Sequence, residues 1–191
     1  MLALAAAGAV DGEAVGFAEA CLASTLGVDT LRVGPFPDPW YAYDTARGQY
    51  SSTLILRDAL ERRPANAAKL LVLTERDLFI PMLSFVYGQA QLDGAVALMS
   101  LARLRQEYYG LPRNRALFLW RVRKEALHEI GHAYGLTHCS EPLCTLSLST
   151  DIRQLDAKGG DFCASCAILL RDAVAAAQNA ARGPDRSGGV T

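Results

Sequence analysis

Apolar runs punctuated by glycine, proline and acidic residues mark out the elements of this chain. Leu2 to Val10 is almost unbroken in apolar character and shorter than most helices, which predicts a buried strand. Asp11 stands where a helix N-cap belongs, and the alanine-rich stretch that follows closes at Gly27, predicting a helix to Leu26. Val28 to Gly34 predicts a second strand. Pro35, Pro37 and Pro39, set among Trp40, Tyr41 and Tyr43, predict a structured loop as far as Gln49. Ser51 or Ser52 then caps a helix expected to reach about Arg63, with Arg57, Asp58, Glu61, Arg62 and Arg63 as its solvated face. Lys69 to Thr74 is a continuous apolar strand. Phe85 to Leu92 alternates weakly, Asp93-Gly94 is a favoured two-residue hairpin turn, and Ala95 to Leu101 follows, so these two strands are expected to be antiparallel neighbours. Pro112 and Asn114 open a helix expected to end near Tyr134. From there to Gly160 the pattern is loop-rich. Ala164 to Ala181 is helical again, and Arg182 to Thr191 is a Gly, Pro and Ser tail expected to be disordered.

Helices alternating with strands, with one hairpin inserted, predict an α/β (α+β) fold: a mixed sheet covered by helices. With 191 residues and 51% hydrophobic content, the chain is expected to form one domain with a sizeable core. A formal charge of −1 gives no general attraction to nucleic acid or to anionic membranes. The basic run Arg121, Arg123, Lys124 reads as a solvated helix face. No apolar stretch is long enough to span a bilayer. Met1 to Ala9 has the apolar and small residues of a signal peptide, yet the first basic residue is Arg32, so a buried first strand explains it better.

The chemistry concentrates in one window. His128, His132 and His138 are all the histidines of the chain. Four residues apart on a helix, His128 and His132 leave the same face one turn apart and can close on one metal. Gly135 can end that helix in a left-handed conformation and turn the chain so that His138 returns as a third ligand. A fourth position is then left for water, as in a catalytic zinc site, with Glu129 beside it as candidate general base. Zinc is the default ion, although imidazole also suits copper, nickel and iron.

A second set of ligands follows: Cys139, Cys144, and the Cys163-x-x-Cys166 pair. Four thiolates in two close pairs read as a closed structural zinc site, with redox or disulfide use of Cys163 and Cys166 as the alternative. Two zinc ions per chain are expected. Cys21, alone in a helical stretch, reads as a buried structural thiol. Cysteines spent on metal, and the missing basic start, place the expected chain in a reducing cytoplasm.

At these residues the chain resembles the archaemetzincins, a family of metzincin-clan zinc metallopeptidases. The likeness runs from His128 through His138 into Cys139, Cys144, Cys163 and Cys166. It extends to Arg47-Gly48-Gln49-Tyr50, Asp77-Leu78, Phe85 to Ala90, Ser100 to Leu104 and Lys124 to Leu127. The resemblance implies a twisted mixed sheet of about five strands with one antiparallel edge strand. It also implies a single domain over 1–181, in which a sheet and helix part (1–135) is followed by a small zinc-stapled part (136–181). Two departures stand out. The family places a methionine in a turn under the zinc, where this chain has Leu146, a near volume-conserving exchange that keeps an apolar floor. The run from there to Cys163 is one residue shorter than the family's usual spacing.

The function expected is hydrolysis of peptide bonds. Zinc lowers the pKa of water from 15.7 to about 7, and Glu129 would take its proton and return it to the leaving amine. The strand Phe85 to Leu92, lying at a sheet edge, would pair with an extended peptide. The resemblance further implies action on short peptides or aminopeptidase-like cleavage of neutral residues. Lys124, one turn before His128, is expected at the surface, and Tyr134 in the core. Two rivals use the same residues: a catalytically silent zinc protein that binds a peptide or partner, and a hydrolase of a non-peptide amide. Metal binding alone would not call for Glu129, which weighs against the first.

Overall fold

A computed structural model describes residues 1–182; the tail expected to be disordered lies, beyond Arg182, outside the described residues. The elements in chain order are β1 (Leu2–Ala7), α1 (Gly12–Leu26), β2 (Thr30–Arg32), β3 (Tyr43–Asp44), β4 (Gln49–Ser51), α2 (Ser52–Arg62), β5 (Lys69–Thr74), β6 (Leu78–Phe79), β7 (Gly88–Ala90), β8 (Val96–Ser100), α3 (Arg115–Ala133), α4 (Ile152–Ala157) and α5 (Ala164–Arg182). The main sheet has the order β2-β1-β5-β8-β7, parallel throughout except for β7, which runs antiparallel to β8 at the edge. That is the mixed five-stranded sheet expected.

Its central strands are buried on both faces, which is why they read as unbroken apolar runs. Alternation still sorts their side chains. Leu2, Leu4, Leu71, Leu73, Ala97 and Met99 face α1, α3 and α5 in one core; Ala3, Ala5, Leu70, Val72, Val96 and Leu98 face α2 in the other. Three of the predicted caps form, but Ser51, at the N-cap of α2, makes no side-chain cap bond, and the Ser52 hydroxyl donates to Phe79 O at 3.0 Å instead. Asp11 accepts from the Ala14 N–H at 3.1 Å, Gly27 closes α1 at φ 61°, and Asn114 accepts from the Leu117 N–H at 3.0 Å to start α3.

Several expectations are corrected. β1 stops at Ala7, because Gly8 turns the chain at φ 76°, and β2 is confined to Thr30–Arg32 within the expected Val28 to Gly34. Only Gly88–Ala90 of the stretch Phe85 to Leu92 pairs with β8; Val86 instead bridges to Leu78. The hairpin turn is centred on Leu92 and Asp93, not on Asp93 and Gly94: the Gly94 N–H donates to Gln91 O at 2.9 Å, and Asp93 takes the positive φ of 52°. A tertiary contact overrides the local preference here, since the Asp93 N–H donates to His132 O at 3.0 Å. The proline-rich loop and its neighbours build an unforeseen small sheet, β3-β4-β6. From it, Arg47 donates to Leu83 O at 2.9 Å and Gln49 to Ser84 O at 3.0 Å, holding the segment that leads into β7.

The basic run on α3 is the largest correction. Arg121 is buried and Lys124 fully so, contrary to the solvated face and the surface position expected. The partner is α4, a short helix in the stretch read as loop. Lys124 Nζ donates to the carbonyls of Leu155 and Asp156, at 2.8 and 3.0 Å, where a cation meets the negative end of a helix. Arg121 grips the Asp156 carboxylate with both arms of its guanidinium, at 2.7 and 2.6 Å.

Candidate active site

Helix α3 carries the first two histidines, and its C-terminus fixes the third. The Gly135 N–H donates to His132 O at 2.9 Å and the Leu136 N–H to Gly131 O at 3.0 Å, the paired bonds of a Schellman cap, with Gly135 at φ 89°. The reversal carries His138 back over the helix. Its ring centroid lies 5.3 Å from that of His128 and 4.8 Å from that of His132.

The two helical imidazoles are held in one tautomer each. His128 Nδ1 donates to Thr145 O at 2.9 Å, and His132 Nδ1 to Leu136 O at 2.7 Å; a carbonyl can only accept, so both protons sit on Nδ1. Both Nε2 atoms are therefore lone-pair donors, and they face each other at 3.1 Å. Two facing lone pairs are reconciled by a shared cation. Candidate ligand atoms of all three histidines lie within 4.8 Å of one another, the arrangement needed around one ion. Burial lowers the pKa of each ring below the ordinary imidazole value, most strongly at His128, where the Lys158 ammonium and His132 add to it. This favours the neutral imidazole, the form that binds metal.

Glu129 is 4% exposed, with Oε2 lacking any hydrogen-bond partner. Burial first, and the Glu125 carboxylate second, push its pKa well above the usual carboxylate range, against the pull of Lys158. The edge strand presses on it: a Cβ placed on Gly88 would lie 2.5 Å from Glu129 Oε1. Leu146 is fully buried, 3.0 Å from where a Cβ on Gly131 would stand, and so lies under the turn of α3 between His128 and His132.

The sulfurs of Cys139, Cys144, Cys163 and Cys166 form a second group within 4.8 Å, all free thiols, with Cys139 and Cys163 3.8 Å apart. Zinc–sulfur bonds of about 2.3 Å in a tetrahedron give edges of about 3.8 Å, so this set suits a closed zinc centre. A hydrogen bond from the Cys166 N–H lowers the Cys163 pKa to about 7, whereas burial raises those of Cys144 and Cys166. Cys21 lies apart, buried in α1 as expected, and Tyr134 is buried too, with the Lys69 ammonium 4.9 Å from its ring centre.

Two groups escaped the reading of the sequence. Lys158 is buried with Nζ 3.3 Å from His128 Nδ1, 3.3 Å from Ser147 O and 3.5 Å from Glu125 Oε1. The Nδ1 proton already goes to Thr145, so Lys158 acts on the ring through charge and turns its donors to Ser147 and Glu125. Neither carries a local signal: Glu125 and Lys158 are ordinary helix and loop residues until folding brings them together.

These groups line a cleft of about 350 Å³. It is lined by residues 83–90, including β7, by Leu148, Ser149 and Thr150, and by the histidines, Glu129, Glu125 and Lys158. The model of peptidase family M54 matches residues 56–172, which hold the cleft, the histidines and the four cysteines. This chain belongs to peptidase family M54, the archaemetzincins. By family it is a zinc metallopeptidase, a hydrolase. The archaemetzincin of Methanocaldococcus jannaschii is 46% identical over 134 residues, 70% of this chain and 73% of that protein. That of Methanopyrus kandleri is 40% identical over 133 residues, covering 70% of this chain and 72% of the relative. The crystal structure of the M. kandleri archaemetzincin superposes with a TM-score of 0.80 at 33% identity, covering 92% of this chain and 96% of that one. A zinc-dependent peptidase from Methanocorpusculum labreanum superposes at 0.76 and 27% identity, over 89% and 100% of the two chains. No helix among the described residues is long and apolar enough to cross a membrane.

Proposed function

We propose that the chain binds two zinc ions, one between His128, His132 and His138 and one among Cys139, Cys144, Cys163 and Cys166. On this reading it hydrolyses peptide bonds in the cleft with Glu129 as general base. The observation that carries the reading is the pair of Nε2 lone pairs facing each other at 3.1 Å beside a buried carboxylate oxygen with no partner. His128, His132 and His138 would hold the zinc, which when bound would supply Lewis acidity to acidify water and polarise a carbonyl oxygen.

The chain's own groups do the rest. Burial raises the proton affinity of Glu129, so its carboxylate can take a proton from the attacking water and deliver it to the departing amine nitrogen. Gly88 leaves room for that carboxylate beneath the edge strand. The free edge of β7 can pair with an extended peptide and lay the scissile bond across the histidines, while Leu83 and Leu148 shield it from water. Leu146 is the apolar floor that the family builds with methionine. The finer assignment, which follows from the resemblance, is aminopeptidase-like cleavage of short peptides.

Metal analysis and a peptide library, for the natural chain and for Glu129→Ala, test the proposal. About two zinc per chain are expected in both proteins, with turnover reduced by about 10²- to 10⁴-fold in the variant. Equal turnover would remove Glu129 from the mechanism. Peptides with free and acetylated N-termini separate aminopeptidase from endopeptidase action.

A further inference from the structure

The two proposed metal centres are joined by very little chain. His138 is bonded directly to Cys139. One residue after Cys144, Thr145 O accepts the Nδ1 proton of His128, and Leu146 follows as the floor. The Cys139 N–H donates to Leu146 O at 3.0 Å, tying the two segments together. Cys163 joins them from the far side, its N–H donating to Cys144 Sγ at 3.4 Å. Of the histidines, only His132 is oriented by the cap of its own helix. The segment from Cys139 to Thr150 contains no helix or strand, so the thiolate cluster, the buried side chains of Cys144, Thr145 and Leu146, and hydrogen bonds such as Thr145 Oγ1 to Lys124 O at 3.0 Å determine where it lies.

Resting on the two-centre reading above, we infer that the thiolate centre positions the catalytic histidines, so that its metal and the histidine-site metal bind with positive coupling. Filling the thiolate centre fixes Cys139 and Cys144. That places His138 and aims Thr145 O at the His128 ring. Partners of this kind, one bond removed from the metal, change metal affinity by about 10- to 100-fold when lost. Coupling between two sites is reciprocal, so an occupied histidine site strengthens the thiolate site by the same factor.

Two measurements on the zinc-loaded protein test this. In the first, p-hydroxymercuribenzoate caps the thiolates, and competition with a chromophoric chelator gives the zinc affinity left at the histidine site while circular dichroism follows the fold. The affinity is expected to fall about 10- to 100-fold. In the second, His132→Ala empties the histidine site without touching a cysteine. The thiolate zinc of this variant should be weaker by a matching factor, and this measurement decides the matter if capping unfolds the protein. Unchanged thiolate affinity in His132→Ala, or unchanged histidine-site affinity in a folded capped protein, would overturn the coupling. No zinc released by capping would instead overturn the assignment of a metal to the cysteines, and the coupling with it.

Discussion

At Gly88 a single hydrogen in place of a methyl group decides where the proposed base sits. Its Cβ would fall 2.5 Å from Glu129 Oε1 and 2.6 Å from Cγ and Cδ, so Gly88→Ala must displace the carboxylate from a buried position. A misplacement of about 1 Å can cost on the order of 10² in rate, so turnover should fall by that order while zinc content stays at the natural level. A turnover close to that of the natural chain would show that the carboxylate is not held by this contact. Leu146→Met, which restores the family's floor residue, should change stability by less than about 1.5 kcal/mol and leave both zinc ions in place, as thermal unfolding and metal analysis would report. That the three histidines meet, and the four cysteines meet, was legible in the sequence because their spacing alone brings the ligand atoms together. Gly88, Glu125 and Lys158 were not, because what they do depends on neighbours far away in sequence: Lys158 is thirty residues from His128.

Helix ends were the most legible elements, since caps are chemical signals local to a few residues. Asp11 does more than cap α1. It accepts from Arg115 at 2.9 Å and lies 3.4 Å from Arg105, bracing α1 against the start of α3. The Arg115 hydrogen bond holds its carboxyl well below the ordinary carboxylate pKa. A carboxylate depressed in this way stabilises the folded chain at pH values above its unfolded pKa of about 3.9, and the benefit fades as the medium becomes more acid than that. Asp11→Asn should therefore unfold at lower urea than the natural chain at pH 7, with the gap narrowing below about pH 4. A constant gap would mean that the charge is not what stabilises. The elements that escaped prediction are the short ones. The small sheet β3-β4-β6 and α4 have too few residues to show a period, and α4 in turn explains the buried Arg121 and Lys124. Positive charge on α3 is consumed by the Asp156 carboxylate and by carbonyls that no pattern in the sequence announces.

Over the whole molecule, one core runs from the sheet into the region that holds the four cysteines. Cys144, Leu146, Leu155, Cys166, Leu170 and Val174 belong to the same buried cluster as Leu2, Leu71, Met99 and Ile130. Ion pairs cross the join as well: Arg121 reaches Asp156, and the buried Lys158 reaches Glu125 on α3. The chain is therefore expected to unfold as one domain over 1–181, the region from residue 136 onward having no separate core in which to stay folded. Thiolate–zinc bonds at the proposed cysteine centre would then stabilise the whole molecule, because their free energy is folding free energy. Calorimetry of the zinc-loaded protein should give a single transition, with equal calorimetric and van't Hoff enthalpies. Cys163→Ser, which removes one of the proposed zinc ligands, should move that whole transition to lower temperature rather than split it. A low-temperature step appearing in the variant, beside a main transition left where it was, would mean that the cysteine region folds on its own. The continuity of the core, the burial of Lys158 and the seating of α4 on α3 would then contribute little to holding the parts together.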